Sequence, residues 1–209
     1  MNDDAAPPRT GWYGKLPSLG DFASRRLAPE RVEAWDHWLA AGLAQWREQD
    51  PDGWLDAYLA GPSWRFLLMP GALVPGAVPQ ATHLIGGVLM PSVDRVGRYF
   101  PMTLMHDCDK DRAGTEAHLS WLHRLDDLAL DAMHEDWSVE RFEAELARLD
   151  ADELAAPADG VSSLPELYRG QVCWWRIGDD GRRLTLCTDG LPQGPAFIAL
   201  LSGHAGAPD

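Results

Sequence analysis

Three short apolar runs, residues 64–69, 84–90 and 99–105, constrain this chain more than any other feature. Each is too short for an independent helix and is bounded by Pro, Gly or Asp, so together they read as strands. The loop at residues 91–98 joins the last two as an antiparallel pair. Pro101 has no N–H to give to a ladder, which places the third strand at an edge or bulges it there. Residues 11–15 suggest a further short strand running into an ordered loop.

Helices surround these runs. Pro29 opens one in which Val32, Trp35, Leu39, Leu43 and Trp46 form a single apolar stripe, with Glu30 and Glu33 where the helix dipole favours acids. A short second helix carries Trp54, Leu55, Tyr58 and Leu59. Thr115 caps a third that reaches Met133, and Ser138 starts a fourth, with Trp137 and Phe142 as a hydrophobic staple across the cap. Residues 151–165 read as a connector, residues 172–177 and 183–188 as a hairpin, and residues 195–201 as a last short helix. The order implies an α+β layered fold with a central, mainly antiparallel sheet flanked by helices in a single domain. Its expected parts are a flexible leader (1–10), one body (11–202) and a frayed tail (203–209). The body divides into a motif-bearing half (11–108) and a helical and hairpin half (109–202).

Charge narrows the function. With 18 Lys plus Arg against 32 Asp plus Glu, the 209-residue chain carries a formal charge of −14 and has no basic stripe for nucleic acid or anionic lipid. Its start lacks the basic region and apolar core of a signal peptide, and no run of about 18 apolar residues exists to span a membrane. A cytoplasmic protein with no membrane insertion is expected. Cys108, Cys173 and Cys187 form no C-x-x-C pair and read as reduced thiols, with Cys173 and Cys187 facing each other across the hairpin.

No complete catalytic or metal-binding set is legible, so no enzyme activity, cofactor or metal is expected. Asp107, Asp109 and Asp111 match the first coordinating spacings of a calcium loop, but Arg112 and His118 stand where it needs Gly and Glu. The acids then read as facing the N-terminus of the next helix. Ser63 sits in a defective nucleophile elbow. Gly86 and Gly87, inside an apolar run, imply close backbone approach. Two charged stretches remain as candidates for recognition: residues 15–26, with Lys15, Asp21, Arg25 and Arg26, and residues 92–98, with Asp94, Arg95 and Arg98. Their arginines can receive a carboxylate or phosphate from a partner, unless internal Asp–Arg bridges use them up. Trp12 and Trp38 fall beside the apolar stripe, where they either anchor an interface or, as most of the tryptophans should, join the core.

Four separated blocks now carry a resemblance: GWYGKLPSLGDF (11–22), WDHWL (35–39), WRF (64–66) and GVLMPSVDRVGRYFP (87–101). In this order they resemble the TagF (ImpM) family associated with bacterial type VI secretion. The resemblance implies a cytoplasmic, non-enzymatic regulator that represses secretion after translation by contacting the forkhead-associated scaffold Fha. It also implies that Trp12, Lys15, Asp21, Trp64, Asp94, Arg95 and Arg98 form or support the interaction surface. Two alternatives stand beside it: a hydrolase or phosphate-binding enzyme working through the Asp94/Arg95/Arg98 loop, and a structural subunit of the secretion assembly.

Overall fold

The computed structural model describes residues 9–73, 84–155, 161–178 and 180–204. Seven strands form one sheet: β1 (Gly11–Lys15), β2 (Phe22–Arg25), β3 (Trp64–Leu68), β4 (Leu84–Met90), β5 (Met102–Cys108), β6 (Gln171–Ile177) and β7 (Arg183–Asp189). They lie in the order β2-β1-β5-β4-β3-β6-β7, and every neighbouring pair is antiparallel. Helices α1 (Pro29–Gln49), α2 (Trp54–Leu59) and α5 (Pro195–Leu201) cover one face; α3 (Glu116–His134) and α4 (Val139–Ala155) cover the other.

Double coverage explains why the central strands read as unbroken apolar runs, since alternate side chains enter two different cores. In β3, Trp64, Phe66 and Leu68 pack with Trp35, Leu39 and Phe197, while Leu67 joins the cluster of Leu122, Leu125 and Phe142 on the opposite side. In β6, Trp174 and Trp175 part in the same way. The α1 stripe packs as the spacing predicts, and Trp38 joins it: its ring is buried and its Nε1 donates to the Pro192 carbonyl at 2.7 Å. Trp12 is fully buried, edge-on to Phe142 at 5.7 Å. Both tryptophans are core residues rather than interface anchors.

The helix signals hold. Thr115 Oγ1 caps α3 through the His118 amide, Ser138 Oγ accepts from the Arg141 amide at the start of α4, and the stapled pair Trp137 and Phe142 is buried in one cluster.

Four boundaries differ from expectation. β5 starts after Pro101 and lies between β1 and β4, so the proline ends the preceding loop instead of marking a sheet edge. Residues 22–25, expected within a charged loop, pair with β1 as an edge strand, Lys15 opposite Phe22. The connector begins later, because α4 continues to Ala155. Residues 1–8 and 205–209 of the expected leader and tail lie outside the described residues. Arg9 and Thr10, however, are tied down by Asp150, which accepts both amides, and the Gly203 carbonyl accepts from Arg176. The two expected halves share one sheet through the β3–β6 ladder.

Gly87 shows how tight the interior is. A Cβ there would stand 2.1 Å from the Leu104 carbonyl oxygen and 2.5 Å from the Phe66 ring, whereas one on Gly20 would meet nothing within 4 Å. Gly87→Ala is therefore expected to lower unfolding free energy by about 1–3 kcal/mol, and Gly20→Ala to leave it nearly unchanged, in paired urea titrations.

Candidate functional site

The two charged stretches singled out in the sequence meet in space. Residues 92–100 leave β4 and return to β5 through a turn in which the Gly97 amide donates to the Asp94 carbonyl and the Asp94 amide to the Arg98 carbonyl. Gly97 has φ +80°, a conformation that costs glycine little. Inside the turn, Asp94 Oδ1 accepts from the amides of Val96 (3.0 Å) and Arg98 (2.9 Å), and Oδ2 accepts from Lys15 Nζ (2.5 Å) and Arg98 Nε (2.7 Å). Both carboxylate oxygens are thus engaged twice.

Burial by itself pushes the Asp94 carboxyl up. The bonds from Lys15, Arg98 and the Val96 amide outweigh it and hold the group far below the usual carboxylate range. The side chains of Lys15 and Asp94 are almost completely shielded, and a buried ion pair survives only when such bonds replace lost hydration.

More ties fix the loop to the body. Tyr58 Oη donates to the Ser92 carbonyl and accepts from the Ser92 amide, and Ser92 Oγ donates to the Lys15 carbonyl at 2.6 Å. The Arg95 amide donates to the Leu19 carbonyl, and Arg98 reaches the Gly20 carbonyl and, more loosely, Asp21 at 3.7 Å.

The candidate residues divide into two groups. Trp12, Lys15, Trp64 and Asp94 are buried and support the loop or the core; Trp64, for example, donates to the Leu200 carbonyl. Asp21, Arg95 and Arg98 face solvent. Beside them lie large apolar side chains that the sequence reading had not singled out: Val96 is 68% exposed, Phe22 46% and Tyr99 38%. Phe22 stacks against Tyr13 and meets Phe100 edge-on at 4.8 Å, while Tyr99 leans on Trp54 at 5.7 Å. A fixed loop therefore presents cationic and apolar groups together on an acidic protein.

Ser63 donates to Asp126, whose other oxygen pairs with Arg65 at 2.7 Å. Among the described residues no histidine bonds the hydroxyl, and the Ser63, Asp126 and Arg65 contacts tie β3 to α3. Cys173 and Cys187 do face each other in the β6–β7 register; Cys173 is buried, and burial beside Cys187 pushes its thiol up.

The stretch after β5 departs from expectation. Asp107 turns away from the next helix to pair with Arg31 of α1 at 2.7 Å. On the opposite face, His106 and Cys108 stand two residues apart, and His118 in the first turn of α3 reaches them. The sequence signal was a histidine and a cysteine at alternate strand positions followed by a histidine at a helix start.

Comparison with known proteins agrees with the motif blocks. Residues 11–149 match the family model of the TagF N-terminal domain, type VI secretion system-associated. The match runs well past the four blocks and includes α3 and most of α4. The crystal structure of PA0076 from Pseudomonas aeruginosa PAO1 is similar at 32% identity and a TM-score of 0.72, over 96% of this chain and 97% of that one. No curated protein sequence matches.

The depressed Asp94 pKa fixes the sign of a pH effect. Its contribution to stability is complete above the unfolded carboxylate value of about 3.9 and is lost as pH falls below it. Stability measured by denaturant titration between about pH 5 and pH 2 is expected to fall less steeply in Lys15→Met than in the parent protein. Equal slopes would show that Lys15 does not hold Asp94 ionised.

Proposed function

The chain belongs to the TagF family of type VI secretion-associated proteins, and from that premise we propose that it is a cytoplasmic repressor of the secretion machine, acting after translation. It works by binding the forkhead-associated scaffold Fha and catalyses no reaction. The observation that carries this reading is the clamped loop of residues 92–100, which offers Arg95, Val96, Arg98 and Tyr99 to solvent beside Phe22. Apolar and arginine side chains on a rigid support are what a protein partner can bind at low entropic cost. Their positive charge, on a chain with net charge −14, favours an acidic or phosphorylated partner surface.

The arrangement around Asp94 also weighs against the hydrolase alternative. A catalytic carboxylate needs a lone pair free for substrate or water, whereas both Asp94 oxygens are occupied by Lys15, Arg98 and two backbone amides. Arg98 Nε is held on the same carboxylate, so that contact shapes the loop, while Arg95 stays exposed. A structural subunit, the remaining alternative, would co-purify with assembled secretion machines at fixed stoichiometry; a repressor would be absent from firing ones.

Calorimetric titration of the purified protein with Fha tests the reading. Arg95→Glu combined with Val96→Asp is expected to weaken binding roughly thirtyfold, the loss of about 2 kcal/mol typical of an interface hot spot. Tyr168→Ser, an exposed aromatic substitution outside the loop, is expected to bind normally. In cells, overproduction of the parent protein should lower secretion and the loop variant should not. Unaltered binding by a folded loop variant would remove this surface from the contact, and a parent protein that does not bind Fha would overturn the partner.

A further inference from the structure

Three potential metal donors converge between β5 and the start of α3. His106 Nε2 stands 3.1 Å from His118 Nε2 and 3.0 Å from Cys108 Sγ, and Cys108 Sγ stands 3.4 Å from His118 Nε2. The strand's two-residue period places His106 and Cys108 on one face, and the Thr115 cap brings His118 down from the first turn of α3. Gly86 lies directly opposite His106 in the β4–β5 ladder. A Cβ there would come within 2.7 Å of the His106 ring, 2.9 Å of Cys108 Sγ and 3.1 Å of His118 Nε2, so the glycine keeps this room clear.

We propose that His106, Cys108 and His118 form a binding site for a zinc-like divalent transition-metal ion, with a fourth coordination position open to solvent. A tetrahedral zinc centre has bonds of about 2.1 Å to nitrogen and 2.3 Å to sulfur, which sets its donors about 3.4 Å (N to N) and about 3.6 Å (N to S) apart. The observed edges are shorter than these by about 0.2–0.6 Å, so the donors spread apart to take the ion. One thiolate and two imidazoles select zinc, cobalt, nickel or copper over magnesium or calcium. The cluster borders a pocket of about 130 Å³ that Arg9, Asp109, Arg112 and Asp150 also line, which leaves space for a water as fourth ligand.

Proton positions follow from the hydrogen bonds. The Gly114 amide donates to His118 Nδ1 at 3.1 Å, so that ring carries its proton on Nε2 and gives it to His106 Nε2. His106 is then protonated on Nδ1, which is buried without a hydrogen bond, and its Nε2 lone pair is already that of a ligand. Metal binding moves the His118 proton from Nε2 to Nδ1, breaks the Gly114 contact and releases the Cys108 thiol proton to solvent. The Gly114 amide is thus a local reporter of occupancy.

Cobalt(II) and zinc(II) titration of untagged, full-length reduced protein tests the site. One equivalent of cobalt is expected to give the thiolate charge-transfer absorption and the intense visible bands of a tetrahedral centre, and zinc to displace it. Zinc should also shift the Gly114 amide resonance. Cys108→Ser should abolish the sulfur band, and both it and His118→Ala should weaken zinc binding more than about a hundredfold, with circular dichroism confirming that they fold. Cys173→Ser with Cys187→Ser should leave the cobalt spectrum unchanged. Absence of the band in the parent protein, or its survival in a folded Cys108→Ser variant, would overturn the proposal.

Discussion

Everything in this molecule depends on a sheet whose two faces must both be buried. Its central strands carry large side chains on both faces and cannot be covered by one helical layer, so the chain supplies two: α1, α2 and α5 on one face, α3 and α4 on the other. The tryptophans serve this demand. Trp35, Trp38, Trp64 and Trp174 fill one core, and Trp12, Trp121, Trp137 and Trp175 the other, each aromatic ring removing a large area from water. Indole N–H groups that would be orphaned find acceptors, as Trp35 does at Thr103 and Trp121 at the Leu149 carbonyl. Only at the ends of the strands is there freedom to build something other than core.

Both sites described above occupy such ends. The Asp94 loop bridges the exit of β4 and the entry of β5, while the His106, Cys108 and His118 cluster lies at the opposite end of β5, where the strand hands over to α3. The two are built on different physics. Asp94 organises its loop as a saturated acceptor, its charge consumed by Lys15, Arg98 and two amides. The histidine and cysteine side chains lie within hydrogen-bond distance of one another, and the backbone beside them is a glycine that leaves them room.

Much of the fold was legible because its signals are local. The 3.6-residue stripe of α1, the caps at Thr115 and Ser138 and the turn between β6 and β7 each depend on residues close in sequence. The sheet order was not, since β1 pairs with β5 and β3 with β6 across long intervals that periodicity cannot see. β2 escaped for a related reason: four residues of mixed polarity at a sheet edge carry no alternation strong enough to stand out. In the candidate site, charge grouping found Lys15, Asp94 and Arg98, yet which of them would face inward depended on their contact. The His106, Cys108 and His118 cluster was hidden because the apolar run reads as ending at residue 105, with Asp107, Asp109 and Asp111 read as a loop beyond it. The identity of His106 and Cys108 as alternate residues of a strand appears only once β5 is known to extend to Cys108.

The β3–β6 ladder has a consequence for how such a chain comes into being. β6 is made long after β3, yet Phe66 and Trp174 lie against each other with ring centres 5.4 Å apart. During synthesis, the face of β3 that will receive β6 has no partner until the C-terminal hairpin leaves the ribosome. Non-local pairing of this kind slows folding and leaves a bare strand edge open to wrong partners in the meantime. The C-terminal hairpin, which carries none of the family's motif blocks, is thus the clasp that ends this vulnerable interval.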